Sequence, residues 1–326
     1  MHDHPHVGSS TNESLRLGLL YNSRSGRHRR TWTQHGLPAG VPAFEANTPQ
    51  QMRAALQQMA AQDIQLLAIA GGDGTVQACL SELLLQPCFQ RLPLLAIIPT
   101  GSTNMTGGDV GRVPIKRRGW QPLLDFAAQP EALEQHCTER AVLRIQHGGE
   151  PFCGMFFGSG AIHHAVEHTQ RNYHQLGLRG DTGPGLAFLR FAKAVASNNL
   201  GQLSPVQARI QASHGVRLEQ GNVLLLATTL HRLLLNFRPY WGREGGPIHW
   251  SAVADDATGF LARILAVARG NDKKLSQSDG YHSHNGQRLE LLFDGGFIVD
   301  GEFHRARRED GPVVLDIAGT PRFLQL

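Results

Sequence analysis

The stretch Leu66-LLAIAGGDGTVQACLSELL-Leu84 starts as five apolar residues, breaks on Gly71-Gly72-Asp73-Gly74-Thr75, and resumes with apolar residues at helical spacing. A short apolar run closed by glycines and followed by an amphipathic pattern reads as a buried strand, a loop and a helix. Glycines let backbone N–H groups approach phosphate oxygens with no Cβ in the way, and a helix starting at Thr75 adds the positive end of its dipole. A Gly/Asp turn between strand and helix also serves left-handed geometry and N-capping. The motif alone therefore leaves a phosphate site and a plain structural turn equally open.

The same rhythm extends to both sides. Leu17–Tyr21 reads as a strand followed by the loop NSRSG, Asn22–Gly26, and then by a helical stretch containing Trp32. A strand near Val41–Glu45 precedes a helix whose Met52, Leu56 and Met59 share one face. Beyond the glycine loop come a helix from Val76 to about Leu85, a strand over Leu94–Ile98, and the loop PTGSTN, Pro99–Asn104. This alternation predicts a parallel sheet covered by helices on both faces, with its loops opening into one crevice. Two neighbouring loops of matching chemistry shift the reading towards phosphate, with Thr75, Ser102 and Thr103 offering hydroxyls. Neither loop ends in the Gly-Lys-Ser/Thr of a P-loop. Asp73 would be repelled by bound phosphate unless a cation intervenes or the carboxylate takes a proton, and a phosphoryl-transfer site supplies both circumstances.

At 326 residues the chain is long enough for two domains. Beyond about Arg140 the texture turns strand-like: Ala141–Gln146, Pro151–Phe157, Pro205–Ala212, Asn222–Thr229, Arg288–Phe293, Phe297–Val299 and Val313–Ile317, with helical stretches at Gly185–Ala196 and Gly259–Arg269. The expected architecture is α/β: an N-terminal parallel-sheet nucleotide-binding domain over 15–138 and a C-terminal, mostly antiparallel β-sandwich domain over 139–326. The final segment is expected to return to the first domain, and residues 1–14 form a loose tail without signal-peptide character. Cys79, Cys88, Cys137 and Cys153 lack zinc or disulfide spacing and read as buried thiols of a reducing compartment. No apolar run approaches the roughly 20 residues that cross a bilayer. The net charge of +4 is clustered at Arg27/Arg29/Arg30, Lys116/Arg117/Arg118 and Arg305/Arg307/Arg308, a pattern that attracts phosphates or anionic lipid head groups.

Taken in order, these motifs resemble the diacylglycerol kinase catalytic family, which includes sphingosine kinases and bacterial lipid kinases. NSRSG is similar to its Asn-Pro-x-Ser-Gly loop, GGDGT to its nucleotide signature, and PTGSTN to its Pro-x-Gly-Thr-x-Asn segment. FFGSGAIHHAVE, from Phe156, resembles the opening of its second domain, and Val299–Glu302, VDGE, its late Asp-Gly-Glu motif. The resemblance implies ATP and a lipid hydroxyl meeting in an interdomain cleft, with Mg2+ accompanying the nucleotide. It implies Glu302, or else Asp73, as the acceptor of the hydroxyl proton.

On this reading Gly71, Gly72, Gly74, Thr75, Gly101, Ser102 and Thr103 hold phosphates, and Asn22 and Asn104 brace the loops. Thr48 is a further nucleotide candidate, Asp73 organises magnesium or the hydroxyl, and Glu302 is the base. Three positions depart from the family pattern. Ser23 replaces a proline, and Met105 stands where many bacterial members carry an aspartate. Gly245-Gly246-Pro247-Ile248 stands where others carry Asp-Gly-x-Leu, so no protein-held metal site is assigned. The partners expected are a diacylglycerol-like or sphingoid lipid and an anionic membrane surface, with a cytoplasmic, membrane-peripheral location and no nucleic acid; a homodimer is left open. Alternatives from other classes are a zinc hydrolase using His164-x-x-Glu167-His168, a catalytically weak nucleotide or lipid sensor, and an NAD kinase. The last shares GGDGT but carries its second glycine motif much farther along the chain.

Overall fold

The computed structural model describes residues 14–24, 36–101, 104–113, 115, 119–130, 133–163 and 205–326. The helix containing Trp32, the helical stretch 185–196, the N-terminal tail, the His164/Glu167/His168 motif and the basic clusters at 27–30 and 116–118 lie outside the described residues. So do Ser102 and Thr103.

Five strands of the first sheet come early in the chain: β1 (Leu17–Tyr21), β2 (Ala43–Glu45), β3 (Leu66–Gly71), β4 (Leu94–Pro99) and β5 (Cys137–Glu139). The order is β2-β1-β3-β4-β17-β5, where β17 (Arg322–Leu324) is the last strand of the chain; the first four strands and β17 run parallel. Alternation along β3 explains the layers. Leu67 and Ile69 face one core with helices α1 (Pro49–Ala61) and α2 (Asp73–Leu85), whereas Leu66, Ala68 and Ala70 face another with α4 (Gln121–Ala128). β4 divides likewise, Leu95 and Ile97 to the first core and Ala96 and Ile98 to the second. Strands buried on both faces produce the near-continuous apolar runs seen in the sequence.

The second sheet is antiparallel. It contains β6 (Val142–Gln146), β7 (Phe152–Gly154), β8 (Phe156–Gly160), β9 (Val206–Ala212), β10 (Arg217–Thr228), β11 (Ile248–Ala254), β12 (Tyr281–Gly286), β13 (Leu289–Phe293), β14 (Gly295–Val299), β15 (Glu302–Ala306) and β16 (Val313–Gly319). Its path is β15-β14-β8-β10-β9-β13-β16-β6-β7, with β11 on β10 and β12 on β11. Phe157, Trp250 and Phe297 from one end meet Ile145, Ile210 and Leu315 from the other in a single core, so the sheet closes on itself as a sandwich.

Helix α2 joins the two sheets. Its buried Cys79, Leu80 and Leu83 share a core with Val142, Cys153 and Met155, and Ser81 Oγ accepts from Cys153 N at 2.9 Å. Burial on two sides suits its mostly apolar sequence.

Several elements depart from the sequence expectation. The segment Pro151–Phe157 is not one strand; it breaks at Met155, because the N–H groups of Met155 and Phe156 point to the Asp300 carboxylate. The strand expected over Val41–Glu45 covers only Ala43–Glu45. β10 begins five residues before Asn222 and changes partners along its length, from β9 to β8 and β11, across a register shift between Asn222 and Leu224. The helix after the glycine turn starts at Asp73, not at Thr75 or Val76.

Candidate active site

The C-terminal ends of β3 and β4 lie side by side, and their two glycine turns touch. A Cβ placed on Gly101 would lie 2.6 Å from Gly72 Cα, and one placed on Gly72 would lie 3.3 Å from Gly101 Cα. Gly101 thus requires glycine for backbone-to-backbone contact and Gly72 leaves little room for more, while a Cβ on Gly71 would collide with the Thr75 side chain. Gly72 is the N-cap of α2, whose first N–H groups open onto this junction. The turns are braced from both sides. Asn22 Nδ2 donates to Thr75 Oγ1 at 3.1 Å, while Asn104 receives Gly101 N at 3.1 Å and donates to Gly101 O at 2.6 Å. Asn104 has φ +49°, a left-handed conformation that asparagine tolerates. Thr48 is accounted for structurally: its hydroxyl caps α1 by accepting Gln51 N at 3.2 Å.

Asp73 does not sit free in a loop. Its carboxylate accepts from Met105 N and Thr106 N, each at 3.1 Å, and so caps the short helix α3 (Met105–Val110) from a different element. Burial raises its pKa, opposed by these N–H donors. Met105 contributes a backbone donor here, and its side chain packs into the apolar clusters on either side.

The last acids arrive on a hairpin. Val299 pairs with Glu302, leaving Asp300-Gly301 as a two-residue turn with φ +48° and +95°. Positive φ at both central residues makes Asp-Gly the favoured sequence for such a turn. The turn brings Glu302 to the glycine rim, where its Oε1 lies 3.1 Å from the position of a Cβ on Gly74. Asp300 turns inward, accepting from Met155 N at 2.9 Å and Phe156 N at 3.0 Å. Burial, with the nearby Asp73 charge, pushes its pKa up to about 8 despite those two donors. One buried, one half-buried and one exposed acid therefore converge on one pair of turns.

Sequence reasoning passed over Asp300, although its place in the Asp-Gly turn beside Glu302 was a usable signal. It also passed over Asp109 on α3, whose buried carboxylate accepts from Arg140 Nε at 2.8 Å, His231 N at 3.2 Å and Arg232 N at 3.1 Å. Arg140 Nη1 also donates to His231 Nε2 at 2.8 Å, which requires a neutral imidazole there; burial, followed by the Arg140 charge, lowers the His231 pKa. This cluster ties the helix capped by Asp73 to the loop after β10. The Arg305/Arg307/Arg308 cluster is partly neutralised, since Arg307 pairs with Glu309 and Arg308 with Asp294. Among the described residues no group of three His, Cys, Asp or Glu side chains could hold a metal ion.

The diacylglycerol kinase catalytic domain matches residues 16–141, which carry both glycine turns but not the Asp300–Glu302 hairpin. A solved structure titled as a diacylglycerol kinase from Bacillus anthracis str. Sterne superposes with a TM-score of 0.59 at 13% identity, covering 97% of this chain and 98% of that one. A second structure from the same strain, given that activity provisionally in its title, reaches 0.65 at 14% identity and covers 97% and 99%. No match to a curated protein was found. Both glycine turns lie inside the matched segment, and the chain shares the fold of these two structures along nearly its whole length.

Proposed function

We propose that the chain transfers the γ-phosphoryl group of ATP to a hydroxyl of a diacylglycerol-like or sphingoid lipid. One observation carries this reading: two glycine turns in backbone contact are faced, across the gap between the sheets, by the carboxylate of Glu302. The N–H groups of Gly72, Asp73 and Gly74, at the start of α2, would receive the polyphosphate, with the Gly101 turn closing the other side. Glu302, with no hydrogen bond from a described residue, would orient the acceptor hydroxyl and take its proton as the phosphoryl group leaves ADP. Asp73 would act as a positioning residue, since both its oxygens hold the first turn of α3.

The donor set suits Mg2+ brought in on the nucleotide: the hard carboxylate oxygens of Glu302 beside the glycine turns, without a protein cage. The metal would supply charge neutralisation on the transferring phosphoryl group. No described helix is long and apolar enough to cross a membrane. A bilayer-derived acceptor would then be met from the cytoplasmic side by peripheral contact.

The test is transfer from labelled ATP to a panel of diacylglycerol, monoacylglycerol, sphingoid base, ceramide and NAD. Labelling of a lipid that disappears in Glu302→Gln supports the reading. Labelling of NAD alone, or of nothing while ATP still binds, overturns it.

A further inference from the structure

We infer that helix α5 (Phe260–Arg269) and the loop packed against its C-terminal end form the surface that docks on an anionic bilayer. The inference rests on the lipid-kinase reading and assigns it a place of contact outside the basic clusters of the sequence.

Seven large apolar side chains are exposed among the described residues, and three belong to this one region: Leu261 and Leu265 on α5 and Leu235 on the adjoining loop. Scattered exposed leucines need no explanation, but a cluster does. Leu261 and Leu265 are one helical turn apart and share a face that is exposed over the first two turns, while Phe260, Ala266, Val267 and Ala268 are buried. Leu235 is 62% exposed and has φ +57°, followed by Asn236 at +61°. A leucine in the left-handed region is strained, so backbone strain here holds an apolar side chain out in water. The loop is fixed to the helix by Arg238 N donating to Ala268 O at 3.0 Å, and Gly270 is closed over by the carbonyls of Arg238 and Tyr240.

The charges around these leucines select the occupant. Arg238, Arg269, Lys273 and Lys274 are exposed and enter no ion pair with a described residue. The neighbouring acids Asp272 and Asp279 are engaged by Arg243 and Arg263. A recess of about 280 Å3 lined by Arg263, Lys273, Lys274 and Ser276, together with those two acids, lies beside the helix and suits a head-group phosphate. The exposed Asp255 and Asp256 lie before the N-terminal end of α5, which places the C-terminal half towards the lipid. An apolar stripe ending in free cations is the pattern of an interfacial helix on anionic lipid. The position also suits delivery. The apolar layer beneath α5 reaches Phe156, Ile298 and Met105, and the loop bearing Leu235 begins at His231 and Arg232, whose N–H groups hold Asp109.

The test is co-sedimentation of the full chain with phosphatidylcholine vesicles, with and without phosphatidylglycerol. Binding is expected only to the mixed vesicles and is expected to weaken with salt. Leu265→Ser and Leu235→Ser should each weaken it about tenfold, and the triple change Arg269→Gln, Lys273→Gln, Lys274→Gln roughly a hundredfold. Phosphotransfer to detergent-dispersed lipid should be unchanged in all of them, since none touches the glycine rim. Equal binding by variants and wild type, binding to neutral vesicles alone, or no binding overturns the surface while leaving the kinase reading to its own assay. Loss of a dimer in the leucine variants with vesicle binding intact would assign the face to a second copy and likewise overturn the inference.

Discussion

Replacing Gly101 by alanine tests the contact between the turns most directly. The new Cβ would lie 2.6 Å from Gly72 Cα, a backbone atom that cannot rotate away. Regaining ordinary contact at 3.4 Å means parting the turns by about 0.8 Å. Misplacing reacting groups by about 1 Å costs on the order of 10²-fold, or ~2.7 kcal/mol of transition-state stabilisation. The expected outcome is therefore a fall of about 10²-fold in kcat/KM for ATP, with weakened nucleotide binding. Two further glycines calibrate the effect. Gly72→Ala places its Cβ 3.3 Å from Gly101 Cα and should do less; Gly108→Ala meets nothing within 4 Å and should do nothing. The assay is initial rate with labelled ATP and detergent-dispersed diacylglycerol, paired with a nucleotide-binding titration and thermal melting. Gly101→Ala binding and turning over ATP no worse than Gly108→Ala would refute a shared polyphosphate site. A loss of turnover accompanied by general unfolding would instead make the contact a fold requirement.

The acids should separate by where their oxygens are spent. Glu302→Gln should cut kcat by about 10²–10⁴-fold with an unchanged melting temperature, because Glu302 is exposed and accepts no structural donor. Asp73→Asn should also lose about 1–3 kcal/mol of stability in denaturant titrations, since an amide can satisfy only one of the two N–H groups of α3. Asp300, raised to about 8 in the native state against about 3.9 unfolded, keeps a proton that the unfolded chain releases, so stability should fall as pH rises from about 4 to 8. Asp300→Asn should remove that slope between the two pH values in melting experiments. Asp109→Asn strands the buried Arg140 guanidinium and should cost about 3–5 kcal/mol, measured by denaturant unfolding.

The first sheet was legible because strands buried on both faces write their apolar character continuously, and because glycines mark the turns after β3 and β4 at its rim. The second sheet was legible only in part, for reasons visible at particular residues. β10 begins with Arg217-Leu218-Glu219-Gln220, whose half-exposed alternation looks like loop until β9 pairs with it. The break at Met155 depends on a carboxylate about 145 residues away in sequence, and no local pattern reports it.

The site divides the same way. GGDGT and PTGSTN announce close backbone approach because the need for glycine is local, and the contact between Gly72 and Gly101 follows from the adjacent strands that carry them. The acids announce their residue type but not their task. Asp73, Asp300 and Asp109 each spend both oxygens on backbone N–H groups or an arginine contributed by another element, whereas Glu302 accepts nothing from a described residue. Three of these four carboxylates therefore hold the sheets, the short helix and the hairpin in register, and that register leaves Glu302 as the acid with no donor from a described residue. A reading that ranks acids by motif alone would weigh Asp73 and Glu302 equally; counting where each oxygen's hydrogen bonds go separates an acid with both oxygens engaged from one that faces the glycine rim without a donor from a described residue.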